Sequence, residues 1–343
     1  MLIDLRSDTV SKPSKEMLKC ISAAEVGDDV FGDDFLTSRL QHQAAEMLGK
    51  DAAIFVPSGT MANQIALQTH TQNGDEMILE SGSHIYMYEG GGYASLAGVS
   101  VRLVKGDRGI MNPAEVKNAI RPSGGLSHYP KTKLICVENT ANAGGGTVYP
   151  LDVLDSISAL AKEKKLKTHL DGARVFNAAI ASKIDVKRIV KDFDSVSFCL
   201  SKGLGCPVGS LLCGSYSFIK KAHRFRKMLG GGMRQTGLLA AAGIFALDNN
   251  IKRLEDDHIR ARKFAAALID LGYDICLKSV ETNMVYIDVS FLNKKMEFII
   301  DFLKDNNVLI APSSETHLRA VMHLGINDEG LKKSIEAFKD LKI

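Results

Sequence analysis

The feature that most constrains the fold is an alternation of short apolar strands with helices along much of the chain. The pattern predicts strands at 52–56, 76–79, 99–104, 133–137, 167–171 and 196–200, with helical spacing of apolar residues in most of the intervening segments. Such an alternation favours a largely parallel sheet covered by helices on both faces. Ligands of such sheets bind beyond the carboxyl ends of the strands, so the residues that follow each strand are the first candidates for a functional site.

Four of the predicted strands lead directly to residues that can do chemistry. Gly59 and Thr60 lie in a small-residue turn before a helix, where free backbone N–H groups and the positive end of the helix dipole can bind an anion. His84 follows the second strand, Asp171 ends the fifth, and Lys202 follows the sixth. Because these strand ends meet at one edge, we expect an anion site, an aromatic ring, a carboxylate and an amine to lie together.

Each of these residues also has an ordinary structural explanation. Lys202 could be a solvated lysine on a glycine-rich turn between two strands, since most lysines are surface residues. Ser58 and Asp171 could be helix N-caps. The acidic segment 27–34 could be solvated surface. The occurrence of all four residue types at successive strand ends favours a functional site over these separate explanations.

This combination is what pyridoxal phosphate requires of a protein. A lysine, here Lys202, forms a Schiff base with the cofactor, and an acid, here Asp171, keeps the ring nitrogen protonated. The turn at Gly59 and Thr60 would hold the phosphate, and His84 would cover one face of the ring. A buried carboxylate at position 171 needs a cation, which the ring N–H would supply.

Composition limits the other function classes. The chain has 343 residues, of which 45% are hydrophobic, enough for a large core and a second, smaller domain. The net charge is only +3 and the charges are interleaved, so we expect neither a nucleic-acid partner nor a membrane span. The six cysteines are scattered and match no zinc spacing, and the N-terminus is charged too early for a signal peptide. We therefore expect no metal site and a cytoplasmic protein with reduced thiols.

Seven motifs, spread over almost the whole chain, together resemble the low-specificity L-threonine aldolases of the fold-type-I, aspartate-aminotransferase-like superfamily. They are Leu5–Thr9, Gly27–Asp34, Ser58–Asn63, Glu138–Thr140, Asp171–Arg174, Ser201–Gly205 and Gly231–Gln235. The resemblance implies an α/β architecture, with a large domain built on a mostly parallel seven-stranded sheet flanked by helices and a small α/β C-terminal domain. The corresponding boundaries are 1–15 for an N-terminal arm, 16–250 for the large cofactor-binding domain and 251–343 for the small domain.

The resemblance implies a pyridoxal-phosphate enzyme that cleaves L-threonine and L-allo-threonine to glycine and acetaldehyde. It further implies a homotetramer whose active sites lie at a dimer interface, with a small amino acid as the substrate. Other enzymes with the same cofactor remain alternatives: a phenylserine aldolase, a serine hydroxymethyltransferase-like enzyme or a β-eliminating lyase. A catalytically inactive binding protein is a further alternative. A nicotinamide oxidoreductase is disfavoured, because the run Gly203–Gly209 is one residue too long for the dinucleotide fingerprint and Pro207 would interrupt its helix.

The resemblance also implies roles for four residues outside the strand ends. Ser7, Arg174 and Arg319 would bind the substrate carboxylate, because a guanidinium matches the fork of the acid. Arg174 would also lie beside the cofactor. Arg234 would reach the cofactor phosphate from a neighbouring subunit.

Two histidines and a tyrosine would face the substrate hydroxyl. His84 or His128 would take its proton, directly or through water, and Tyr88 would line the same side. His84 could equally be only a ring cover, and His128 could simply be exposed. The chain departs from the family at Ala141, where histidine is frequent, and at Phe31, where tyrosine is frequent. These departures concern substrate preference rather than the type of reaction.

Overall fold

The computed structural model describes residues 1–122 and 127–342. Within this range the strands are β1 (Ile3–Asp4), β2 (Ala52–Val56), β3 (Glu76–Glu80), β4 (Ser100–Val104), β5 (Thr132–Glu138), β6 (Lys167–Asp171), β7 (Ser195–Cys199), β8 (Ser210–Gly214), β9 (Met284–Asp288), β10 (Val308–Leu309), β11 (Ala311–Pro312) and β12 (His317–Val321). The helices are α1 (Lys15–Ser22), α2 (Phe35–Leu48), α3 (Gly59–His70), α4 (His84–Met87), α5 (Gly92–Ser95), α6 (Pro113–Ala119), α7 (Leu151–Glu163), α8 (Val175–Ser182), α9 (Val186–Val190), α10 (Tyr216–Met228), α11 (Gly237–Asn249), α12 (Leu254–Asp270), α13 (Met296–Asp305) and α14 (Asp328–Leu341). None of the helices described here is both long and apolar enough to cross a membrane.

The central sheet has seven strands in the order β2-β8-β7-β6-β5-β3-β4. Its neighbours pair in parallel except at β8, which is antiparallel to both β2 and β7. Both faces are buried, because successive residues of one strand join different apolar clusters. Ile78 packs on one face with Ile135, whereas Met77 and Leu79 pack on the other with Leu67 of α3. The predicted mostly parallel seven-stranded sheet is confirmed.

A second apolar core surrounds the three-stranded antiparallel sheet β11-β12-β9. Phe264 of α12 and Phe338 of α14 meet edge to face, with their ring centroids 5.6 Å apart. Ile3 and Leu5 of the N-terminal arm belong to this core, and β1 pairs in parallel with β10. The arm is therefore anchored on the C-terminal part of the chain, while the predicted domain boundaries stay predictions.

The alternating apolar residues of the segment 273–277 predict a strand, but the structure has no strand there. Residue Asp274 makes only an isolated bridge to Asp288, and 277–279 form a 3₁₀ turn. Tyr273 is buried, and its hydroxyl donates to the carbonyl oxygen of Phe338 at 2.7 Å. The alternation thus reflects packing into the second core rather than continuous strand pairing, and the strand prediction was wrong.

The strand directions decide where the candidate site lies. β2, β3, β5, β6 and β7 all run the same way, so the residues that follow them meet at one edge, here called the carboxyl edge. The turn after β2 packs directly against the end of β7. A Cβ atom at Gly59 would lie 2.7 Å from the Sγ atom of Cys199, so only glycine fits there without a shift of its neighbour.

Candidate active site

Asp171 ends β6 at the carboxyl edge and is 3% exposed. Its Oδ1 accepts a hydrogen bond from the backbone N–H of Ala173 at 3.1 Å, and its Oδ2 accepts one from the Asn63 amide at 2.8 Å. The alternative that Asp171 caps the next helix is wrong, because α8 begins at Val175 with Arg174 in the N-cap position. The carboxylate is held in place by two donors and is directed to the carboxyl edge rather than to a helix end.

Lys202 lies on the turn between β7 and β8, as expected from the sequence, and is half-buried. The turn is packed against α12 and the segment that follows β12. A Cβ atom at Gly203 would lie 2.8 Å from Leu254 of α12, and one at Gly205 would lie 3.0 Å from Leu324. Lys202 is therefore not a freely solvated residue on a hairpin, and its charge acts on both Asp8 and His84.

His84 begins α4 and has a half-buried ring. Its Nδ1 lies 3.0 Å from Oε1 of Glu89, whose side chain is completely buried, and this hydrogen bond raises the pKa of His84. Polar atoms of His84, Glu89 and Asp171 all lie within 4.8 Å of one another. The amide of Asn63 donates to both carboxylates. The ring of Tyr88 lies 5.6 Å from that of His84 and is exposed.

A third carboxylate, which the sequence analysis did not assign to the site, ends β5. Glu138 accepts from the backbone N–H groups of His84 at 2.6 Å and Asn142 at 2.7 Å. Burial, reinforced by the charge of Asp171, raises the pKa of Glu138 to about 7. The triplet Glu138–Thr140 was among the motifs that carried the resemblance, but nothing in its spacing indicates that this carboxylate reaches His84.

Arg174 is engaged by a second residue that the sequence analysis left unassigned. Its Nε and Nη2 donate to the two carboxylate oxygens of Asp8, both at 2.7 Å, and its Nη1 donates to Asn142 at 3.3 Å. Burial of Asp8 opposes ionisation, but Arg174, with a smaller contribution from Lys202, lowers its pKa to about 2. The two partners are 166 residues apart, so the pair cannot be read from sequence spacing.

Arg319 of β12 lies opposite Tyr286 of β9 and differs from Arg174 in how it is satisfied. Its Nη2 donates to the carbonyl oxygen of Arg6 at 3.2 Å, but its buried Nε has no hydrogen-bond partner among the described residues. The Tyr286 hydroxyl donates to the carbonyl oxygen of Asn142 at 3.4 Å. Because Arg174 donates to the side chain of Asn142, both arginines lie near this asparagine. Ser7 immediately precedes Asp8, the partner of Arg174, and is half-buried. Its hydroxyl oxygen accepts hydrogen bonds from Thr9.

The predicted anion site is the N-terminus of α3. Ser58 is its N-cap, since its hydroxyl oxygen accepts from the N–H of Met61 at 3.2 Å. The cap and the anion site are compatible, because the N–H groups of Gly59 and Thr60 belong to the first turn and have no acceptor within the helix. The buried hydroxyl of Ser210, unpartnered in the part of the chain described, lies beside this turn.

Within one chain, the structure does not bring His128 to the carboxyl edge. His128 is exposed and precedes β5, with its ring 4.3 Å from that of Tyr129. Tyr129 lies under Arg121, which pairs with Glu76 at the amino end of β3. The seven-residue β5 separates the two edges by about 20 Å. A role of His128 in the site therefore stays a prediction that requires a neighbouring subunit.

Arg234 is also exposed and lies 3.1 Å from Asp28 of the acidic segment 27–34. The solvated-surface explanation holds for Asp33, which is exposed, but not for Asp29 or Asp34. Asp29 forms a buried ion pair with Arg226 at 2.7 Å, and Asp34 caps α2. The acidic segment is a structural anchor of α2 and α10, and the contribution of Arg234 to a phosphate site stays a prediction.

The two departures from the family pattern differ in position. Ala141 is buried, and a Cβ atom at Gly109, whose φ is +82°, would lie 2.5 Å from the Ala141 side chain. Phe31 is 75% exposed in the acidic segment. Neither side chain contacts the carboxylates at the carboxyl edge through a hydrogen bond, since both are apolar.

Known proteins are similar to this chain in sequence and in fold. A family model described as "Beta-eliminating lyase" matches residues 4–291. The chain is 46% identical over 343 residues to the probable low-specificity L-threonine aldolase 2 of Arabidopsis thaliana, covering 99% of this chain and 97% of the relative. It is 44% identical over 331 residues to the low specificity L-threonine aldolase of Escherichia coli K12, covering 96% of each.

The fold is shared with a solved threonine aldolase from Leishmania major. The TM-score is 0.86 at 20% identity, over 99% of this chain and 100% of that chain. Together with the strand order, this likeness confirms the expected fold-type-I α/β architecture.

Proposed function

The chain belongs to the family of low-specificity L-threonine aldolases, and we propose that it cleaves L-threonine and L-allo-threonine to glycine and acetaldehyde with pyridoxal phosphate as cofactor. The observation that carries this proposal is the meeting of an amine, Lys202, and a buried carboxylate, Asp171, with the N-terminus of α3 at one edge of the sheet. The protein is accordingly a carbon–carbon lyase.

The residues at the carboxyl edge fit this cofactor. Asp171 is buried and would hold the proton on the ring nitrogen, which supplies the cation that the carboxylate otherwise lacks. The free N–H groups of Gly59 and Thr60 would bind the phosphate, and the orphaned hydroxyl of Ser210 lies next to them. Bound in this way, pyridoxal phosphate supplies an electron-withdrawing ring that stabilises the charge left on Cα when the Cα–Cβ bond breaks.

The substrate carboxylate would be bound chiefly by Arg319. Its guanidinium is half-buried beside the Tyr286 hydroxyl, and a substrate carboxylate would bind to its Nη groups. Arg174 would contribute through Nη1, because Asp8 already occupies its Nε and Nη2. Ser7 would complete this clamp. Fixing the carboxylate would orient the Cα–Cβ bond, which is the positioning that such cleavage needs.

His84 is the favoured base for the β-hydroxyl proton. Glu89 holds its Nδ1, which leaves Nε2 as the nitrogen that could accept a proton from the substrate. His128 would act on the same hydroxyl only from a neighbouring subunit. Tyr88, beside His84, would contact the substrate side chain.

We also propose a homotetramer in the cytoplasm with active sites at a dimer interface. Phe31 and Phe35 are 75% and 71% exposed within and just after the acidic segment, and a second copy of the chain would cover them. The six cysteines are free thiols, which suits a reducing compartment.

The decisive experiment is borohydride reduction of the purified protein followed by peptide mass spectrometry. We expect a visible absorption band that disappears on reduction and a pyridoxyl group on Lys202. A colourless protein after incubation with the cofactor, or an adduct on another lysine only, would overturn the proposal.

Substrate class is tested separately, with L-threonine, L-allo-threonine, L-serine and L-phenylserine under identical conditions. We expect acetaldehyde and glycine from both threonine diastereomers as the fastest reactions. Faster release of benzaldehyde from phenylserine, or of pyruvate and ammonia from serine, would replace the aldolase assignment by one of the alternative lyases.

A further inference from the structure

A continuous hydrogen-bond chain of side chains, all buried except the half-buried His70, connects α3 to Asp171. In order, the contacts are His70 Nε2 to Ser195 Oγ at 2.7 Å, Ser195 Oγ to His169 Nδ1 at 2.9 Å, His169 Nε2 to Asn63 Oδ1 at 3.1 Å and Asn63 Nδ2 to Asp171 Oδ2 at 2.8 Å. His169 and Ser195 are completely inaccessible to solvent. Nothing in the assignments above requires these groups.

The carboxylates fix the direction of every bond in this chain. The Asn63 amide nitrogen donates to Asp171 and also to Oε1 of Glu89 at 2.7 Å, so its carbonyl oxygen must face the other way. That oxygen accepts from His169 at 3.1 Å and from the hydroxyl of Ser197 at 2.9 Å. Rotating the amide by half a turn would place its oxygen against the two carboxylates and its N–H groups against the donors of His169 and Ser197.

The two histidines of this hydrogen-bond chain, His70 and His169, are neutral. Burial lowers the pKa of His169 to about 4 and that of His70 to about 3. A neutral His169 that donates from Nε2 must accept at Nδ1, so Ser195 donates to it and in turn accepts from Nε2 of His70. The hydrogen-bond chain therefore fixes the orientation of the Asn63 amide and carries no charge.

We propose that Asn63 is a positioning residue that ties Asp171 and Glu89 into one rigid pair of carboxylates, and that His169 and Ser195 set the orientation of its amide. The inference rests on the proposed function, in which Asp171 faces the ring nitrogen and Glu89 holds His84. One amide group then links the proton on the cofactor ring to the proton on the base. Its loss would let the two carboxylates, within 4.8 Å of each other, repel one another.

Several other charged or titratable groups act on this pair. Glu138 and Cys136 lie on β5, Lys202 follows β7, and His84 faces both carboxylates. Changing Asn63 or His169 removes none of these groups, so the comparison of the variants tests the amide and its orientation.

The test compares cofactor binding in variants that keep or remove the donors. Asn63→Leu removes both amide donors at similar volume, and Asn63→Asp replaces them by an acceptor. We expect pyridoxal phosphate to bind about tenfold or more weakly to both, since each loses hydrogen bonds to a charged group. We also expect the pH midpoint of the visible band to rise, because a less firmly protonated ring nitrogen favours a proton on the neighbouring lysine nitrogen.

A matched pair at His169 keeps the test informative if the Asn63 variants fold poorly. Gln places an N–H donor at about the position of imidazole Nε2, so His169→Gln should retain near wild-type cofactor affinity, whereas His169→Leu should weaken it as Asn63→Leu does. His258→Gln is the control, because His258 is a buried histidine that is hydrogen-bonded to Asn177 and does not belong to this hydrogen-bond chain. Thermal unfolding of each apoprotein reports whether the fold is intact.

The outcomes separate this inference from the proposed function. A wild-type protein without a lysine-linked visible band would overturn the proposed function. A normal wild-type band, with unchanged affinity and pH midpoint in both Asn63 variants or equal values for His169→Gln and His169→Leu, would overturn the positioning role alone.

Discussion

The two edges of the seven-stranded sheet treat charge in opposite ways. At the amino edge two ion pairs each join one cation to one carboxylate: Arg121 lies 2.9 Å from Glu76, and Lys167 lies 2.7 Å from Asp194. The Lys167–Asp194 pair is exposed on both sides, so solvent screens it and it contributes little to stability, whereas Glu76 is buried beneath a partly exposed Arg121.

At the carboxyl edge, the carboxylates of Asp8, Glu89, Glu138 and Asp171 are buried, as is that of Glu80 at the end of β3. The positive groups acting on them are Arg174, Lys202 and His84, and only Asp8 forms a two-pronged pair with an arginine. Buried carboxylates in excess of fixed cations are unfavourable for folding and favour a positively charged ligand. The difference between the edges therefore locates the site more sharply than any single residue does.

The largest expected effect contrasts one aspartate from each edge. Asp171→Asn should lower turnover by about 10²–10³-fold, because the amide no longer stabilises a proton on the ring nitrogen. Asp194→Asn, which disturbs Lys167 and Thr168 at the amino edge, should leave turnover unchanged within error. Steady-state kinetics of both variants, saturated with cofactor, make the measurement. Equal losses would mean that the edges do not differ in function.

The second prediction concerns stability. Asp8→Asn leaves the buried guanidinium of Arg174 without its partner and should reduce the free energy of unfolding by about 3–5 kcal/mol. Asp28→Asn, which breaks the exposed contact with Arg234, should cost less than about 1 kcal/mol. Urea unfolding of the apoproteins compares the two. A similar cost for both would show that burial does not set the strength of these pairs.

The pH dependence of stability provides the third prediction. Because the pKa of Asp8 is lowered to about 2 in the folded protein, its contribution is complete above about pH 4 and is lost as the pH falls towards 2. Glu138 has the opposite sign. Its pKa is raised to about 7, so the protonated form favours folding, and stability should fall by about 2–3 kcal/mol as the pH rises from about 4.5 to 7. Glu138→Gln should abolish that fall, as measured by urea unfolding across this range.

The smallest expected effect is a shift in a pH profile. The hydrogen bond to Glu89 raises the pKa of His84, so Glu89→Gln should lower it. The basic form of His84 would then persist to lower pH, and the acid limb of the kcat/KM profile should move in that direction. A profile whose acid limb stays in place would indicate that His84 covers the ring without acting as the base.

The main features of the fold follow from local pattern. Six short apolar strands among helices predicted the parallel sheet, and the polar residues after each strand predicted the edge at which chemistry would occur. Gly59, His84, Asp171 and Lys202 were found at that edge because strand direction alone places strand ends together. The same reasoning failed for 273–277, where alternating apolar residues serve packing instead of pairing.

What only the tertiary structure decided is which groups share a proton or a charge at that edge. Asp8 pairs with Arg174 across 166 residues, Asn63 reaches Asp171 across 108, and His128 lies at the opposite end of the sheet from His84. The sequence determines the chemical types and the strand that carries each one, because periodicity and turn residues act over a few positions. Hydrogen bonds and ion pairs depend on distances of a few ångströms between segments far apart in the chain, and only the packed sheet and helices set those distances.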